Sequence, residues 1–174
     1  MIALQTRRLR LMEWRHADFA AFRPIAKDPD VMRYISDGIP WSDEGIREFI
    51  GRQIRHAAAR RFCLWRIARN PDGKTIGFCG LQPLKLEGQR EVEIGWWLAK
   101  NCWGRGLATE AARTVMRFAF DDAKLRRVIA IARPENLASI RIMRKLGMRF
   151  EREATHKGIS VVVYSIEGTP TRHN

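Results

Sequence analysis

The chain has 174 residues, a formal net charge of +13 and 45% apolar residues, which fits one folded domain and excludes a disordered or collagen-like chain. No apolar run approaches the roughly 18–20 residues of a membrane-crossing helix. The first residues, with Arg7, Arg8 and Arg10, lack the apolar core of a secretion signal, so a cytoplasmic protein with no membrane partner is expected.

Residues 6–14 alternate loosely and predict a first strand. Apolar residues at helical spacing follow over 17–26, and Pro29 and Pro40 punctuate the next stretch. Ser42-Asp43-Glu44 then opens a helix, with Ser42 as its N-cap. Ile46, Phe49, Ile50, Gln53, Ile54 and Ala57 carry that helix on one face. Residues 62–68 and 75–81 predict an antiparallel pair joined by Asn70-Pro71-Asp72-Gly73. Glu87-Gly88-Gln89 turns the chain into a third strand over 91–98. After Gly104-Arg105-Gly106 come a helical run over 107–120, a β-branched strand over 126–132 and a helix over 136–146 stopped by Gly147. Strands over 148–153 and 159–166 complete the chain, and 169–174 reads as a frayed tail, leaving one domain over 1–168.

The predicted class is α+β: a central mixed, mostly antiparallel twisted sheet of about seven strands flanked by about four helices. The strands over 62–98 form an antiparallel meander. The crossover helix over 107–120 makes the following strand parallel to the one before it.

Cys63, Cys79 and Cys102 have neither metal-knuckle nor redox spacing, and the four histidines form no close pair, so buried thiols and no metal are expected. The basic excess lies toward the C-terminal half, where residues 101–174 hold 14 basic against 7 acidic residues. Such a charge suits a phosphate-bearing ligand, a nucleic acid or an acidic protein. Arginine outnumbers lysine 25 to 7, a bias that genome composition also produces.

The most informative segment runs from Glu93 to Glu110, where a strand enters a Gly-x-Gly turn that opens a helix. The first helical turn has unpaired N–H groups and a partial positive charge, and glycines let the backbone close around an anion. No Walker sequence is present. A dinucleotide fingerprint would need glycine where Thr109 stands, and would not follow an antiparallel meander. A tight turn with no ligand is the plain alternative.

Four pieces in order resemble the GNAT superfamily of acetyl-CoA-dependent N-acetyltransferases, and within it the branch of ribosomal-protein N-terminal acetyltransferases. They are Glu93-Ile-Gly-Trp-Trp-Leu, Trp103-Gly104-Arg105-Gly106-Leu107-Ala108, Ala108-Thr-Glu-Ala and Asn136-Leu-Ala-Ser-Ile-Arg-Ile-Met-Arg-Lys-Leu-Gly147. The resemblance covers nearly the whole chain. It implies a GNAT-like fold and acetyl-CoA as cosubstrate. The pantetheine arm would lie where the strand before the motif bulges and splays from its neighbour, with Trp97 and Leu98 as backbone partners. Gly104 to Thr109 (Gly104, Arg105, Gly106, Leu107, Ala108, Thr109) would take the pyrophosphate beside Trp103, with Arg105 adding charge. Asn136 would hydrogen-bond the arm, and it equally suits an N-cap.

Acetyl transfer to an amine needs a base, oxyanion donors and help for the leaving thiolate. The base candidates are Glu93, which is preferred, and Glu91 on the same strand face. Many family members carry a tyrosine acid where Met143 stands here; the ribosomal-protein branch lacks it and has a serine where Ser139 stands, so the resemblance implies Ser139 as a donor to the sulfur, with water or the amine as the alternative proton source. Cys102 lacks the partners of a nucleophile. By resemblance, the acceptor pocket comes from about residues 25–50 and 153–159, containing Tyr34, Trp41, Asp37, Asp43 and Glu44. Aromatic and acidic residues together suit a cationic amine; for Asp43 and Glu44 a helix start is the preferred reading.

The expected activity is acetyl transfer to a primary amine by direct attack in a ternary complex, the acceptor being a protein N-terminus or a small molecule. The competing reading is a basic ribosome- or nucleic-acid-binding module on a non-catalytic fold of this kind; nucleic acid is the less favoured partner. Relatives occur as monomers and homodimers, and the sequence leaves both open.

Overall fold

A computed structural model describes residues 2–70 and 72–168. The turn proline Pro71 and the tail over 169–174 lie outside the described residues. Among the described residues, eight strands form one open sheet in the order β1-β2-β3-β4-β5-β6-β8-β7. The strands are β1 Ile2–Gln5, β2 Leu9–Met12, β3 Leu64–Arg69, β4 Thr75–Leu86, β5 Gln89–Leu98, β6 Arg127–Ala132, β7 Arg149–His156 and β8 Ile159–Glu167. The helices are α1 Phe19–Ala26, α2 Pro29–Met32, α3 Asp43–Arg60, α4 Leu107–Arg117 and α5 Leu137–Lys145. The fold is the expected GNAT-like α+β architecture. The β3-β4-β5 meander is antiparallel and β6 runs parallel to β5.

The strand beyond the predicted seven is β1, which pairs with β2. No glycine or asparagine marks the turn between them. Side chains close it instead: Thr6 Oγ1 accepts from the Leu9 N–H at 3.0 Å, and the Thr6 hydroxyl donates to Glu110 of α4. The predicted helix over 107–120 ends at Arg117 and passes into a π-turn, Phe118–Asp122.

Two cores cover the sheet. Neighbours along a strand point to opposite faces, and Leu64 and Phe78 pack with Phe22, Ile46, Phe49 and Ile50 of α1 and α3. Trp65 and Cys79 face the other way, toward Leu107, Ala111, Ala112 and Val115 of α4. The helices therefore clamp both sides of the β4–β5 ladder.

β5 and β6 share a single register pair, Glu93 with Ile129. Beyond it β5 stays paired to β4 as far as Leu98 opposite Gly77. The two parallel strands thus diverge toward their C-terminal ends. The β4–β5 register is unbroken, so the split comes from this divergence and not from a bulge in that ladder, correcting the expectation.

Candidate active site

Two cavities meet in the split. The first, about 490 Å³, runs along the turn at residues 103–109 and the start of α5. The second, about 590 Å³, opens toward α3, β4, β6 and the β7–β8 turn. Tyr34, Ile35, Trp96, Trp97, Asn136 and Ser139 line both and mark the junction.

The end of β5 dictates what its backbone offers. The Ala99 N–H bonds Ile76 O at 2.8 Å, and the Leu81 N–H bonds Cys63 O at 3.0 Å. Antiparallel alternation then assigns the N–H and C=O of Trp97 to its β4 partner Phe78, and turns those of Trp96 and Leu98 into the split. This corrects the expectation for Trp97: its side chain lines the junction, but its backbone is spent on β4. The open backbone groups at this end of β5 belong to Trp96 and Leu98. The Leu98 carbonyl is itself taken by Trp103 Nε1 at 2.7 Å, so Trp103, 47% exposed, closes the strand end with its indole.

The turn leaves backbone donors open. Gly104 and Gly106 have φ of +70° and +73°, the left-handed region that favours glycine. Gly106 caps α4 without a side-chain hydrogen bond. The first backbone donor to close a helical bond is Glu110, onto Gly106 O at 3.0 Å. The N–H groups of Leu107, Ala108 and Thr109 are thereby left as open donors at the positive end of α4. Gly104, Gly106, Leu107, Ala108 and Thr109 all line the first cavity. Arg105 does not; its carbonyl accepts from Arg8 Nη1 at 3.0 Å instead. Arg8 also grips Glu110 through Nε and Nη2, both at 2.6 Å. This brace between the β1–β2 turn and α4 joins residues about a hundred positions apart, which no local pattern reveals.

Asn136 caps α5, its Oδ1 accepting from the Ser139 N–H at 3.1 Å. Its side-chain NH₂ is left to donate at the junction. Tyr34 and Trp41 line the second cavity, Trp41 packing 4.7 Å from Trp97. The acidic candidates do not. Asp43 pairs with Arg23 and Lys27 at 2.9 and 2.7 Å, and Asp37 accepts from the Ile39 N–H. Met143 is buried in the core. The cysteines are buried and free, and burial pushes the Cys63 thiol up to about 12. No cluster of metal-ligating side chains occurs among the described residues.

Glu93 is the one carboxylate lining the second cavity. It is 8% exposed and accepts from Gln82 Nε2 at 2.8 Å. Burial pushes it up to about 7, against the opposing pull of that hydrogen bond and of the Lys157 charge. Glu91, two residues earlier, lines neither cavity and instead faces Arg127 at 3.3 Å, within a cluster with Glu151 and Glu167.

A split parallel pair, with an anion cradle on one side and a buried carboxylate on the other, is the layout of an acyl-CoA-using transferase. Residues 8–149 match the acetyltransferase (GNAT) domain family, and the chain belongs to it as an acetyl-CoA-dependent acyltransferase. It is 32% identical over 151 residues to the uncharacterized N-acetyltransferase YnaD of Bacillus subtilis (strain 168), covering 85% of this chain and 83% of that one. A GNAT-family acetyltransferase from Bacillus anthracis superposes with a TM-score of 0.79 at 28% identity, over 96% of this chain and 98% of the other. RimL, a ribosomal alpha-N-protein acetyltransferase solved with coenzyme A, shares the fold with a TM-score of 0.79 at 17% identity, over 97% and 98% of the two chains.

Proposed function

We propose that the protein moves the acetyl group of acetyl-CoA to a primary amine by direct attack, with Glu93 as the base. Glu93 carries this reading: a buried carboxylate at the last pair before β5 and β6 part, facing the cavity opposite the phosphate cradle. Acetyl-CoA supplies an acyl thioester whose C–S bond is exchanged for a C–N bond to the amine, CoA leaving as the thiol.

The chain's own groups do the rest. Free amines are largely protonated at neutral pH. A carboxylate held near pH 7 is matched to removing that proton, directly or through water. The open N–H groups of residues 107–109 hold the pyrophosphate, and the Asn136 side chain, the split-facing groups of Trp96 and the Leu98 N–H hold the pantetheine amides. A β5 N–H in the split donates to the oxygen on which charge develops. Ser139, at the junction, is placed to donate to the departing sulfur.

Thiol release from acetyl-CoA with a panel of amines, followed across pH, tests this. Activity is expected to fall as pH drops through about 7, because the base works only when ionised. Coenzyme A binding without turnover of any amine, together with nucleic-acid affinity that collapses with salt, would replace it with the basic-module reading.

A further inference from the structure

The acceptor cavity is cationic. Arg52 of α3, Lys85 of β4, Arg133 just past β6 and Lys157 in the β7–β8 turn converge on it from four elements. None of these four makes an ion pair among the described residues. Against them stands Glu93 alone, and burial keeps it partly protonated at neutral pH.

Two imidazoles join the cations. His56 and His156 line the same cavity, and His56 Nδ1 is buried with no hydrogen-bond partner. Burial and the charges of Arg60, Arg52 and Arg55 hold His56 below its ordinary value, and burial with Lys157 does the same to His156. Both therefore serve as neutral hydrogen-bonding groups. The four cations do not line the cofactor cavity, which has its own in Arg33, Lys100, Arg141 and Lys145. Coenzyme A phosphates held at the α4 turn thus leave the acceptor-side charges uncompensated.

Much of the remaining wall is apolar, aromatic and aliphatic. Trp97 lies 4.7 Å from Trp41 and 4.8 Å from Phe78, ring centre to ring centre. A polyamine would meet repulsion here, and a bare hydrocarbon amine would leave four cations unmatched.

We propose that the acceptor is a small amine with an apolar or aromatic body that also carries an anionic group, a carboxylate or a phosphate-type group, held by Arg52, Lys85, Arg133 and Lys157. This rests on the acetyl-transfer reading of the same site. Charge-assisted hydrogen bonds of this kind favour the anionic member of a matched pair by about ten-fold or more.

Three products that differ only in that group provide the test: N-acetylphenethylamine, N-acetylphenylalanine and the phosphonate analogue of N-acetylphenylalanine. Each is titrated by calorimetry into the coenzyme A-bound protein, at low and high salt. At least one anionic product is expected to bind ten-fold or more tightly than the neutral one, with the preference shrinking in salt. The two anionic arms tell carboxylate from phosphate recognition. The preference should vanish in an Arg133→Gln/Lys157→Gln double variant and weaken in Lys157→Gln alone, a change in an exposed turn. Unchanged coenzyme A affinity shows that both variants fold. Equal binding of the three, preference for the neutral product, or no binding of either anionic one overturns the proposal. Titration of coenzyme A alone reads the transferase assignment separately. Tight coenzyme A binding with no anion preference breaks only the acceptor proposal, while loss of coenzyme A binding breaks both.

Discussion

The two ends of the split are built in opposite ways. The end proposed for the cofactor is largely continuous chain: the last residues of β5, two left-handed glycines and the first turn of α4, all within residues 96–109, with α5 beside them. Its donors are backbone N–H groups, so geometry matters there more than side-chain identity. The acceptor end is assembled from α3, β4, β5, β6 and the β7–β8 turn, and its character comes from side chains. A site made of backbone accepts one chemical feature, the phosphate, and suits a cosubstrate shared by a whole family. A site made of distant side chains can change its acceptor while the other end stays fixed.

The change with the largest expected effect tests whether the cofactor end is backbone-built. Gly106→Glu forces a side chain into a left-handed residue and sets a carboxylate beside the pyrophosphate cradle, so coenzyme A affinity should drop at least about 100-fold by calorimetry. Retained affinity would break that half of the comparison.

Glu93→Gln tests the other end. Its kcat should fall roughly 10²–10⁴-fold, while coenzyme A affinity is unchanged and the activity limb near pH 7 disappears. Stability gives a second readout. The folded carboxyl holds its proton to about 7 and the unfolded one releases it near 4.5, so the native state loses stability as pH rises between these values. At pH 8 Glu93→Gln should therefore be more stable than the parent by about 3 kcal/mol in urea melts. A parent more stable at pH 8 than at pH 5 on account of this residue would contradict the burial argument.

Smaller changes sharpen the contrast. Arg8→Ala removes the brace on the α4 turn, and coenzyme A affinity should fall roughly ten-fold with about 1 kcal/mol of stability, since the pair is partly exposed. Trp103→Phe keeps the ring but loses the Nε1–H bond to Leu98; a loss of about 1 kcal/mol in stability and a few-fold in coenzyme A affinity is expected. Glu91→Gln should do least: the pH limb stays, and stability changes by about 1 kcal/mol or less through the Arg127 cluster. If Glu91→Gln abolishes the limb and Glu93→Gln does not, the assignment of the base moves two residues along β5.

Legibility in the sequence followed the same division. The meander, the parallel crossover and the α4 turn were readable because their signals are local: Gly-x-Gly at a strand end, apolar residues at helical spacing, Gly147 after α5. The β1–β2 hairpin was not, because its turn is closed by Thr6 and by Glu110 from α4. Arg105 has the right charge in the right segment; what the sequence did not show is that Arg8 holds its carbonyl. The acidic residues around Asp37 and Asp43 suited a cationic acceptor in the sequence. Their carboxylates are occupied by Arg23, Lys27 and the Ile39 N–H, and basic side chains from later in the chain line the cavity instead.

By itself the sequence determined the class of fold, and it pointed to the turn proposed as the phosphate cradle and the strand proposed to carry the base, because each is set by neighbours within a few residues. Only the tertiary structure decided which carboxylate is buried, which β5 backbone groups face the split and what charge the acceptor meets. Those depend on register and on groups from elements far apart in the chain. Glu91 and Glu93 show it most directly: on the same strand face, one is neutralised by Arg127 from across the β5–β6 pair, while the other is sealed from water beside Gln82.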